Sequence, residues 1–475
     1  MDHRALDAAY AAAVRFLDGV KERPVGARLD AAALRAALGG PLPEAGEPAA
    51  QVVERLARDA DPGIVATAGP RFFGFVIGGS LPASVGADWL TSAWDQNAGL
   101  FVLSPAASVV EETVLDWLTR LFGLPAGTGM GFVTGGQMAN TTCLAAARQS
   151  VLARAGWDVA ARGLIGAPEV AVLAGDEAHI TVYGALRLLG LGDASVVKIA
   201  SDGQGRMLPD ALRDALRSRR GKPVIICAQA GNVNTGAFDP LAEVTRLARE
   251  HGAWVHVDGA FGLWAAASPA LRHLVEGVAA ADSCATDAHK WLNVPYDSGL
   301  AFVRDTAAHR AAMARTASYL QRTEENRDNY EWTPEFSRRA RGFAVYAALR
   351  SLGRRGVADL IERCCAHARL FAELLSAAPG VRVQNEVVLN QVLVRFEPPS
   401  ATPEQGDQWT REVIARVQRD GTCWLSGTVW HGRALMRISV CTGARPATTC
   451  GARRRRSFRP TARAGHPEGA LHRAR

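Results

Sequence analysis

The sequence predicts an α/β fold with a mostly parallel sheet, together with a second, smaller α+β domain. The first observation is that short continuous apolar runs alternate with helical segments from about residue 131 to residue 305. Such runs are typical of parallel strands that are covered on both faces. The second is that helices and paired strands follow one another without this regular alternation beyond residue 340. With 475 residues and 48% hydrophobic content, the chain can bury a large core and form two domains.

We expect four segments along the chain. Residues 1–70 form an Ala-rich helical arm with two Pro-containing breaks. They are followed by a large domain (71–340), a small C-terminal domain (341–441) and an Arg-rich tail (442–475). Near the start of the large domain, residues 104–125 are amphipathic, open with Ser-Pro and close with Gly-x-Pro, which predicts a helix.

The individual elements follow from the apolar pattern. In the large domain we predict strands at 169–175, 194–200, 222–231, 253–261 and 299–305. Residues 131–148 predict a strand, a Gly-Gly turn and an Ala-rich helix. In the small domain we predict a helix at 341–377, paired strands within 381–397, a helix at 409–421 and a strand at 434–440.

The net charge of +7 comes from the tail. Residues 445–475 hold nine arginines and one acidic residue, a balance of +8, so the remainder of the chain is at −1. The body therefore gives no reason to expect nucleic-acid or membrane binding. Two explanations remain for the tail: a disordered basic arm that binds an acidic partner, or a GC-rich coding sequence read out of frame after about residue 441. We favour the second as a hypothesis.

Composition also bears on location. No run of eighteen apolar residues is present, and the N-terminus has no apolar signal region, so we expect neither a membrane span nor secretion. The eight cysteines form no C-x-x-C pair and no metal-ligand spacing. They are typical of reduced thiols in a cytoplasmic protein that binds no metal.

Lys290 stands out because the chain uses so little lysine. Only four of the 54 basic residues are lysines, and Lys290 lies in the stretch TDAHKWLNVPYDSG (286–299). A lysine amine in a partly desolvated pocket loses its proton readily and can form a Schiff base, whereas arginine stays protonated. The alternative is a surface lysine on a loop, which the neighbouring Trp291 and Leu292 disfavour.

Three other features follow predicted strands. Asp258 ends an apolar strand, where α/β sheets place ligands; it could hold the proton on a pyridine nitrogen or simply cap a turn. His179 could stack on an aromatic cofactor and transfer protons, or be a structural histidine. Gly135 and Gly136 leave backbone N–H groups free at a helix N-terminus, which suits a phosphate. Their spacing matches neither the dinucleotide nor the NTP motif.

The order Gly-Gly, His, Asp, Lys along the chain supplies a phosphate cup, a stacking ring, a partner for a pyridine nitrogen and a Schiff-base amine. Each feature alone is ambiguous. Together they are the parts that a pyridoxal 5'-phosphate enzyme needs.

The chain resembles the group II pyridoxal-phosphate-dependent decarboxylases, which include the glutamate and aromatic-L-amino-acid decarboxylases. The resemblance spans roughly residues 65–441. The motifs that carry it are FFGF (72–75), SPAASVVEETVLDWL (104–118), TGGQMAN (134–140), DEAH (176–179), NTGAFDP (234–240), HVDGAFG (256–262), DAHKW (287–291), VPYDSG (294–299) and SRRARGFAVYAALRSLG (337–353). It implies the aspartate-aminotransferase fold (fold type I), a homodimer and an active site at the subunit interface.

The resemblance also implies roles for individual residues. Lys290 would be the Schiff-base lysine and Asp258 the partner of the pyridine nitrogen. His179 would stack on one face of the ring and Ala260 would support the other. The residues implied to hold the phosphate are Gly136, Gln137, Asp287 and His289.

One segment departs from the family pattern, and one proposed role rests on a segment outside the matching motifs. The family often has Gly-Thr-Thr where this chain has Gly231-Asn232-Val233, so a polar contact near the cofactor is expected to be rearranged. Decarboxylases carry a proton-donating tyrosine on a mobile loop after the lysine. The corresponding polar segment is NRDNYEWTPEFSRR (326–339), whose one tyrosine is Tyr330. We therefore expect Tyr330, or a donor linked to His179, to protonate the product carbon.

Decarboxylation of an L-amino acid to its amine and CO₂ is the activity that we expect. The same scaffold could instead transaminate or cleave another carbon–carbon bond. A cofactor-binding protein without catalysis is the alternative from a different class, which the intact Lys290, Asp258 and His179 argue against. The stretch 75–100 is expected to line the side-chain pocket, and its aromatic content favours an aromatic or medium-sized substrate.

Overall fold

The computed structural model of the protein describes residues 3–315 and 325–443. The tail after residue 443, and with it the two explanations offered for that tail, lies outside the described residues. The large domain is built on a seven-stranded sheet and the small domain on a four-stranded sheet. The seven described cysteines are all free and buried. Within the described ranges, no helix is long and apolar enough to cross a membrane.

Thirteen α-helices are present in the described residues. The arm contains α1 (Arg4–Gly19), α2 (Ala31–Leu38) and α3 (Ala49–Ala60). The large domain contains α4 (Pro82–Trp94), α5 (Pro105–Phe122), α6 (Gly136–Arg154), α7 (Val159–Arg162), α8 (Ile180–Leu188), α9 (Pro209–Arg217), α10 (Leu241–His251) and α11 (Thr306–Met313). The small domain contains α12 (Gly342–Ser376) and α13 (Pro403–Asp420).

The strands divide between the two sheets. The large-domain strands are β1 (Gly129–Val133), β2 (Ala171–Gly175), β3 (Val197–Ile199), β4 (Val224–Gln229), β5 (Trp254–Asp258), β6 (Ser283–Asp287) and β7 (Gly299–Val303). The small-domain strands are β8 (Val381–Val383), β9 (Gln391–Phe396), β10 (Ser426–Trp430) and β11 (Arg433–Ser439).

The large sheet has the strand order β1-β7-β6-β5-β4-β2-β3. Strands β2 to β6 pair in parallel, whereas β7 is antiparallel to both β6 and β1. Six strands therefore point the same way, and their carboxyl ends share one edge. This confirms the mostly parallel α/β sheet, which is buried by helices as its continuous apolar runs require.

The small domain forms an antiparallel sheet in the order β10-β11-β9-β8. The long helix α12 packs against α4 and α5 of the large domain. Gly353 interrupts α12 with φ 60°, a conformation that glycine adopts without a steric penalty. The small domain is therefore attached to the large one along a broken helix rather than through a loose linker.

The predicted elements differ from the observed ones at several places. Strands β6 and β10 were not predicted, and the strand predicted at 194–200 shortens to β3. The strand predicted at 299–305 runs antiparallel within the sheet. Helix α13 begins at Pro403, six residues before the predicted start at 409, because Thr402 forms a capping box with Gln405.

Candidate active site

Lys290 lies just beyond the carboxyl end of β6, at the centre of the shared sheet edge. Its Nζ is 3.0 Å from Oδ2 of Asp287, the last residue of β6. The Asp287 side chain is only 2% exposed. Among the described residues its Oδ1 has no hydrogen-bond partner, although His289 Nε2 is 3.5 Å away. A buried carboxylate with an unused oxygen beside an amine is a site built to receive a further polar group.

The turn that carries Lys290 is held by Asn293. The Asn293 Oδ1 accepts hydrogen bonds from the backbone N–H groups of Gly79 (3.0 Å) and Gly443 (2.8 Å). Its Nδ2 donates to the carbonyls of Trp291 and Cys441, both at 2.9 Å. Asn293 has φ 58°, which asparagine tolerates better than most residues. One side chain thus ties the lysine turn to the start of the large domain and to the end of the small domain.

Gly78 packs directly on the same turn. A Cβ at this position would lie 1.7 Å from the carbonyl oxygen of Lys290, so no larger residue fits. The stretch 75–100, which we expect to line the substrate pocket, therefore meets the backbone of the lysine itself. This contact explains why glycine stands at position 78, the first residue of the Gly78-Gly79 pair.

The Gly-Gly turn after β1 faces the Lys290 turn. Gly135 precedes the first residue of α6, and a Cβ on Gly136 would lie 2.8 Å from Asp287 Oδ2. A Cβ on Gly299 would lie 2.6 Å from the Gly135 Cα. Bare backbone at this point leaves the first N–H groups of α6 directed at the site, which suits a phosphate. Gln137, one residue farther along, is exposed.

His289 is fixed beside this turn. Its Nδ1 accepts a hydrogen bond from the backbone N–H of Ser298 at 3.0 Å, and its ring stacks on Tyr296 with centroids 4.2 Å apart. Burial lowers the pKa of the His289 imidazole, although the Asp287 carboxylate opposes that shift. The neutral ring therefore presents Nε2–H toward Asp287 and the α6 N-terminus.

Asp258 ends β5 with both carboxylate oxygens engaged. Its Oδ2 accepts from Asn140 Nδ2 at 3.0 Å, and its Oδ1 accepts from the backbone N–H of Ala260 at 3.1 Å. The residue is 5% exposed. Asp258 is therefore a buried, oriented negative charge, as a partner for a protonated ring nitrogen must be.

The charged groups of the site act on His179. It precedes α8, and its Nδ1 is 2.8 Å from Thr181 Oγ1. Burial lowers the pKa of His179; the charges of Asp258 and Asp287 act in the opposite direction, and those of Lys290 and Arg437 add to the lowering. The geometry thus brings the predicted Lys290, Asp258 and His179 together and adds Arg437 to them.

Arg437 is absent from the residues predicted from sequence. It lies in the middle of β11 and is 8% exposed, and burial lowers the pKa of its guanidinium. Its Nη1 donates to the carbonyl of Val233 at 3.1 Å, whereas its Nε has no hydrogen-bond partner among the described residues. No carboxylate in the described ranges forms an ion pair with it. A basic residue inside the apolar run ALMRISV was the signal that could have identified it.

The Gly231-Asn232-Val233 departure contributes to the same region. Asn232 Nδ2 donates to Glu177 Oε2 at 2.9 Å, and Glu177 also accepts from Trp430 Nε1 at 3.0 Å. The carbonyl of Val233 holds Arg437. This segment therefore links the loop that carries His179 to the small-domain strands β10 and β11.

Tyr330 is buried, although it belongs to the polar segment 326–339, which we expect to correspond to a mobile loop. It belongs to a 3-10 helix (Asn329–Trp332) and is 2% exposed. Its ring packs on Phe336 with centroids 4.8 Å apart, and its backbone N–H donates to the Gly99 carbonyl at 2.9 Å. These contacts place Tyr330 against the 97–101 segment, and its role as a proton donor stays a prediction.

Buried charges explain why this polar segment is packed inside. Arg338 forms a bidentate pair with Glu111, with both distances 2.7 Å and both side chains 1% exposed. Arg327 lies over the Trp332 ring at 4.2 Å, and burial lowers its pKa to about 10. Charged residues that would suit a solvated loop are instead paired with α5 or stacked on an aromatic ring.

Comparisons with known proteins agree with this site. The pyridoxal-dependent decarboxylase conserved domain matches residues 33–397. The chain belongs to this family. Tryptophan decarboxylase 1 of Oryza sativa subsp. japonica is 30% identical over 414 residues, which cover 82% of this chain and 79% of the relative. The acidic amino acid decarboxylase GADL1 of Bos taurus is 28% identical over 408 residues, covering 82% and 77% of the two chains.

Solved structures show the same relationship. The crystal structure of Oryza sativa tryptophan decarboxylase with pyridoxal phosphate and tryptamine superimposes with a TM-score of 0.86 at 27% identity, over 92% of each chain. Fold type I is therefore confirmed, and the protein is a pyridoxal 5'-phosphate-dependent amino-acid decarboxylase. The residues fit this cofactor: an amine, an oriented carboxylate, a neutral imidazole and a bare helix N-terminus converge at one sheet edge.

Proposed function

We propose that Lys290 forms the Schiff base with the cofactor and that this site releases CO₂ from an aromatic L-amino acid. The observation that carries the proposal is geometric: hydrogen bonds join Asp258 to His179 through Asn140 and Thr181, and Lys290 Nζ lies 3.0 Å from Asp287 at the same sheet edge. An amine, a carboxylate and a half-buried imidazole at one sheet edge match the needs of a cofactor, and the buried guanidinium of Arg437 matches those of a substrate carboxylate.

Each proposed cofactor-binding residue has a separate role. Pyridoxal phosphate supplies an electron-accepting ring when it is bound. Two N–H groups orient the Asp258 carboxylate, which is proposed to face the ring nitrogen and to favour its protonated form. His179 offers the face of a neutral ring for stacking, with Ala260 on the opposite side. Gly136 and Gln137 are proposed to hold the phosphate, helped by His289 and by Asp287. The Asp287 carboxylate can only accept hydrogen bonds, so it would help through Lys290, 3.0 Å away, rather than by binding the phosphate itself.

Arg437 is proposed to hold the substrate carboxylate. Its guanidinium is buried and lacks a carboxylate partner within the described ranges, which is costly unless a ligand supplies the anion. The Val233 carbonyl fixes one end of the guanidinium. A carboxylate bound by the remaining donors would be oriented relative to Lys290 and Asp258, and this orientation decides which bond of the substrate breaks.

The proton that replaces CO₂ needs a donor. Tyr330 is our first proposal, and a donor linked to His179 is the second. His179 accepts from Thr181 at Nδ1, so its Nε2 carries the proton. Either group must be a neutral acid near the substrate carbon, where such a donor is typically worth about 10²–10⁴ in rate.

An aromatic side chain is the substrate class that we propose. The aromatic content of the 75–100 stretch and the name of the rice relative support it. The name of the bovine relative supports the acidic alternative. The choice therefore rests on the chain's own aromatic residues, and direct measurement separates the two classes.

A cytoplasmic homodimer is the assembly that we propose. Large apolar side chains are exposed on α4 and on the turn that precedes α5: Trp89, Leu90, Trp94, Val102 and Leu103, each between 41% and 50% exposed. Exposed apolar side chains concentrated in two neighbouring segments of the chain are typical of protein–protein interfaces. Analytical ultracentrifugation should give twice the chain mass of 50.5 kDa.

The direct test is release of labelled CO₂ from carboxyl-labelled L-amino acids. We expect release from tryptophan, tyrosine or phenylalanine, much less from glutamate or aspartate, and none in the Lys290→Ala variant. The matched control is Lys222→Ala, which removes a surface lysine that pairs with Glu169. Equal or greater release from the acidic substrates would contradict the proposed substrate class. Release that survives Lys290→Ala would contradict the role of the lysine.

A further inference from the structure

A chain of buried hydrogen bonds runs beneath the cofactor residues. Trp254 Nε1 donates to Ser283 Oγ at 3.0 Å, and Ser283 Oγ is 3.1 Å from His256 Nδ1. His256 Nε2 is in turn 3.0 Å from Asn140 Oδ1. The four residues are at most 3% exposed, so water does not compete for these bonds. Charge and donor geometry can therefore fix the direction of every bond.

Asn140 connects this chain to two functional side chains. Its Nδ2 donates to Asp258 Oδ2 at 3.0 Å and to Thr181 Oγ1 at 3.2 Å. The Asp258 carboxylate can only accept, so the amide nitrogen of Asn140 must face it and the amide oxygen must face His256. His256 Nε2 therefore carries a proton. Both N–H groups of the Asn140 amide are therefore used, one in a branch that leads to Asp258 and the other in a branch that leads through Thr181 to His179.

The donor and acceptor in each of the other hydrogen bonds of the chain can then be assigned. Burial lowers the pKa of His256 to about 4, so its ring is neutral near pH 7 and Nδ1 is an acceptor. Ser283 accepts from Trp254 and donates its own proton to that Nδ1. On the other branch, the Thr181 hydroxyl accepts from Asn140 and donates to His179 Nδ1, which leaves the His179 proton on Nε2.

We propose that Asn140, oriented by His256, is a positioning residue that sets the Asp258 carboxylate and the His179 tautomer together. The inference rests on the proposed roles of Asp258 and His179 and extends them to two residues that touch neither cofactor nor substrate. Without Asn140, Asp258 would lose one of the two hydrogen bonds that orient its carboxylate. His179 would lose the partner of the hydroxyl that fixes its tautomer.

The test compares two ligands that differ at one ring atom. Apoprotein is titrated with pyridoxal phosphate and with its carbocyclic analogue, in which C–H replaces the ring nitrogen. The ratio of the two affinities measures how well the protein recognises that nitrogen. Asn140→Leu removes the amide with little change of shape. Thr142→Val is the matched control, because Thr142 is equally buried on α6 and its hydroxyl donates to Met138.

The wild type and Thr142→Val should prefer pyridoxal phosphate by the same ratio, and Asn140→Leu should reduce that ratio about 10-fold or more, as loss of outer partners typically does. A wild type without preference would contradict the role of Asp258. A preference that survives Asn140→Leu would contradict the inference alone. If Asn140→Leu fails to fold, the His256 variants decide. His256→Gln keeps an N–H donor for Asn140 and should retain the preference for pyridoxal phosphate, whereas His256→Leu should lose it. Equal affinity ratios in these two variants would overturn the inference.

Discussion

The two halves that we propose for the active site, one for the cofactor and one for the substrate, are built in opposite ways. The cofactor half lies on the large domain, where Asp258 and His179 receive hydrogen bonds from their own surroundings. The substrate half depends on Arg437 of the small domain, whose Nε has no partner in the described residues. Asp258 and His179 can therefore be fixed before any ligand arrives, although Oδ1 of Asp287 in the same half lacks a hydrogen-bond partner among the described residues. A half with an unused buried donor is complete only when an anion binds.

Lys290→Ala should have the largest effect, because it removes the only amine in the cofactor half. We expect decarboxylation to fall below detection, since no other residue near Asp287 can form a Schiff base. CO₂ release measures this. Thermal unfolding of the same variant should resemble that of the wild type, and a variant that retains activity would show that the amine lies elsewhere.

Tyr330→Phe should be next in size. If Tyr330 donates the final proton, kcat should fall about 10²–10⁴-fold, while cofactor affinity stays unchanged. Phe336→Leu is the matched control, since Phe336 packs on the Tyr330 ring and leaves the hydroxyl in place. A kcat for Tyr330→Phe within a few-fold of the wild type would move the donor to the His179 branch.

Arg437→Gln tests the substrate half directly. Hydrogen bonds to a charged group are worth about 1.5–3 kcal/mol, so kcat/KM should fall about 10- to 100-fold with little change in cofactor affinity. Arg433→Gln, an exposed arginine on the same strand, should behave like the wild type. Equal loss of cofactor binding and turnover in Arg437→Gln would mean that the two halves are not separate.

The smallest effect concerns stability at acidic pH. The pKa of His256 is about 4 in the folded protein and about 6.5 when unfolded, so the unfolded chain binds more protons between these values. Stability is therefore lost as the pH falls from about 6.5 to 4, by at most about 3 kcal/mol from this group. His256→Gln should flatten the fall of the melting temperature in this window. Parallel pH curves for variant and wild type would contradict the assignment.

In the cofactor half, Asp258 and His179 could be predicted from sequence because they follow predicted strands, whereas Lys290 was identified by the scarcity of lysine, since β6 was not predicted. Asp258 ends β5, and His179 and Lys290 follow β2 and β6 within a few residues, so the sheet brings them to one edge. Arg437 could not be placed this way. It reaches the site from a separate sheet, and its position depends on how the small domain packs against Val233.

The segment around Tyr330 shows a second limit of sequence patterns. Its arginines and acidic residues are typical of a solvated loop, yet Arg338 forms a buried bidentate pair with Glu111 of α5. The pairing joins residues 227 positions apart, which no local pattern records. The Asn140–His256 contact, over 116 positions, escapes sequence patterns for the same reason.

The most direct test of the central claim is to trap the cofactor on its lysine. The purified protein is reduced with borohydride, digested and analysed by mass spectrometry for a pyridoxyl-phosphate adduct. The chain has only four lysines, so the assignment is unambiguous. We predict the adduct on Lys290 alone. An adduct on Lys21, Lys198 or Lys222 instead, or a protein that holds cofactor without any lysine adduct, would contradict the account.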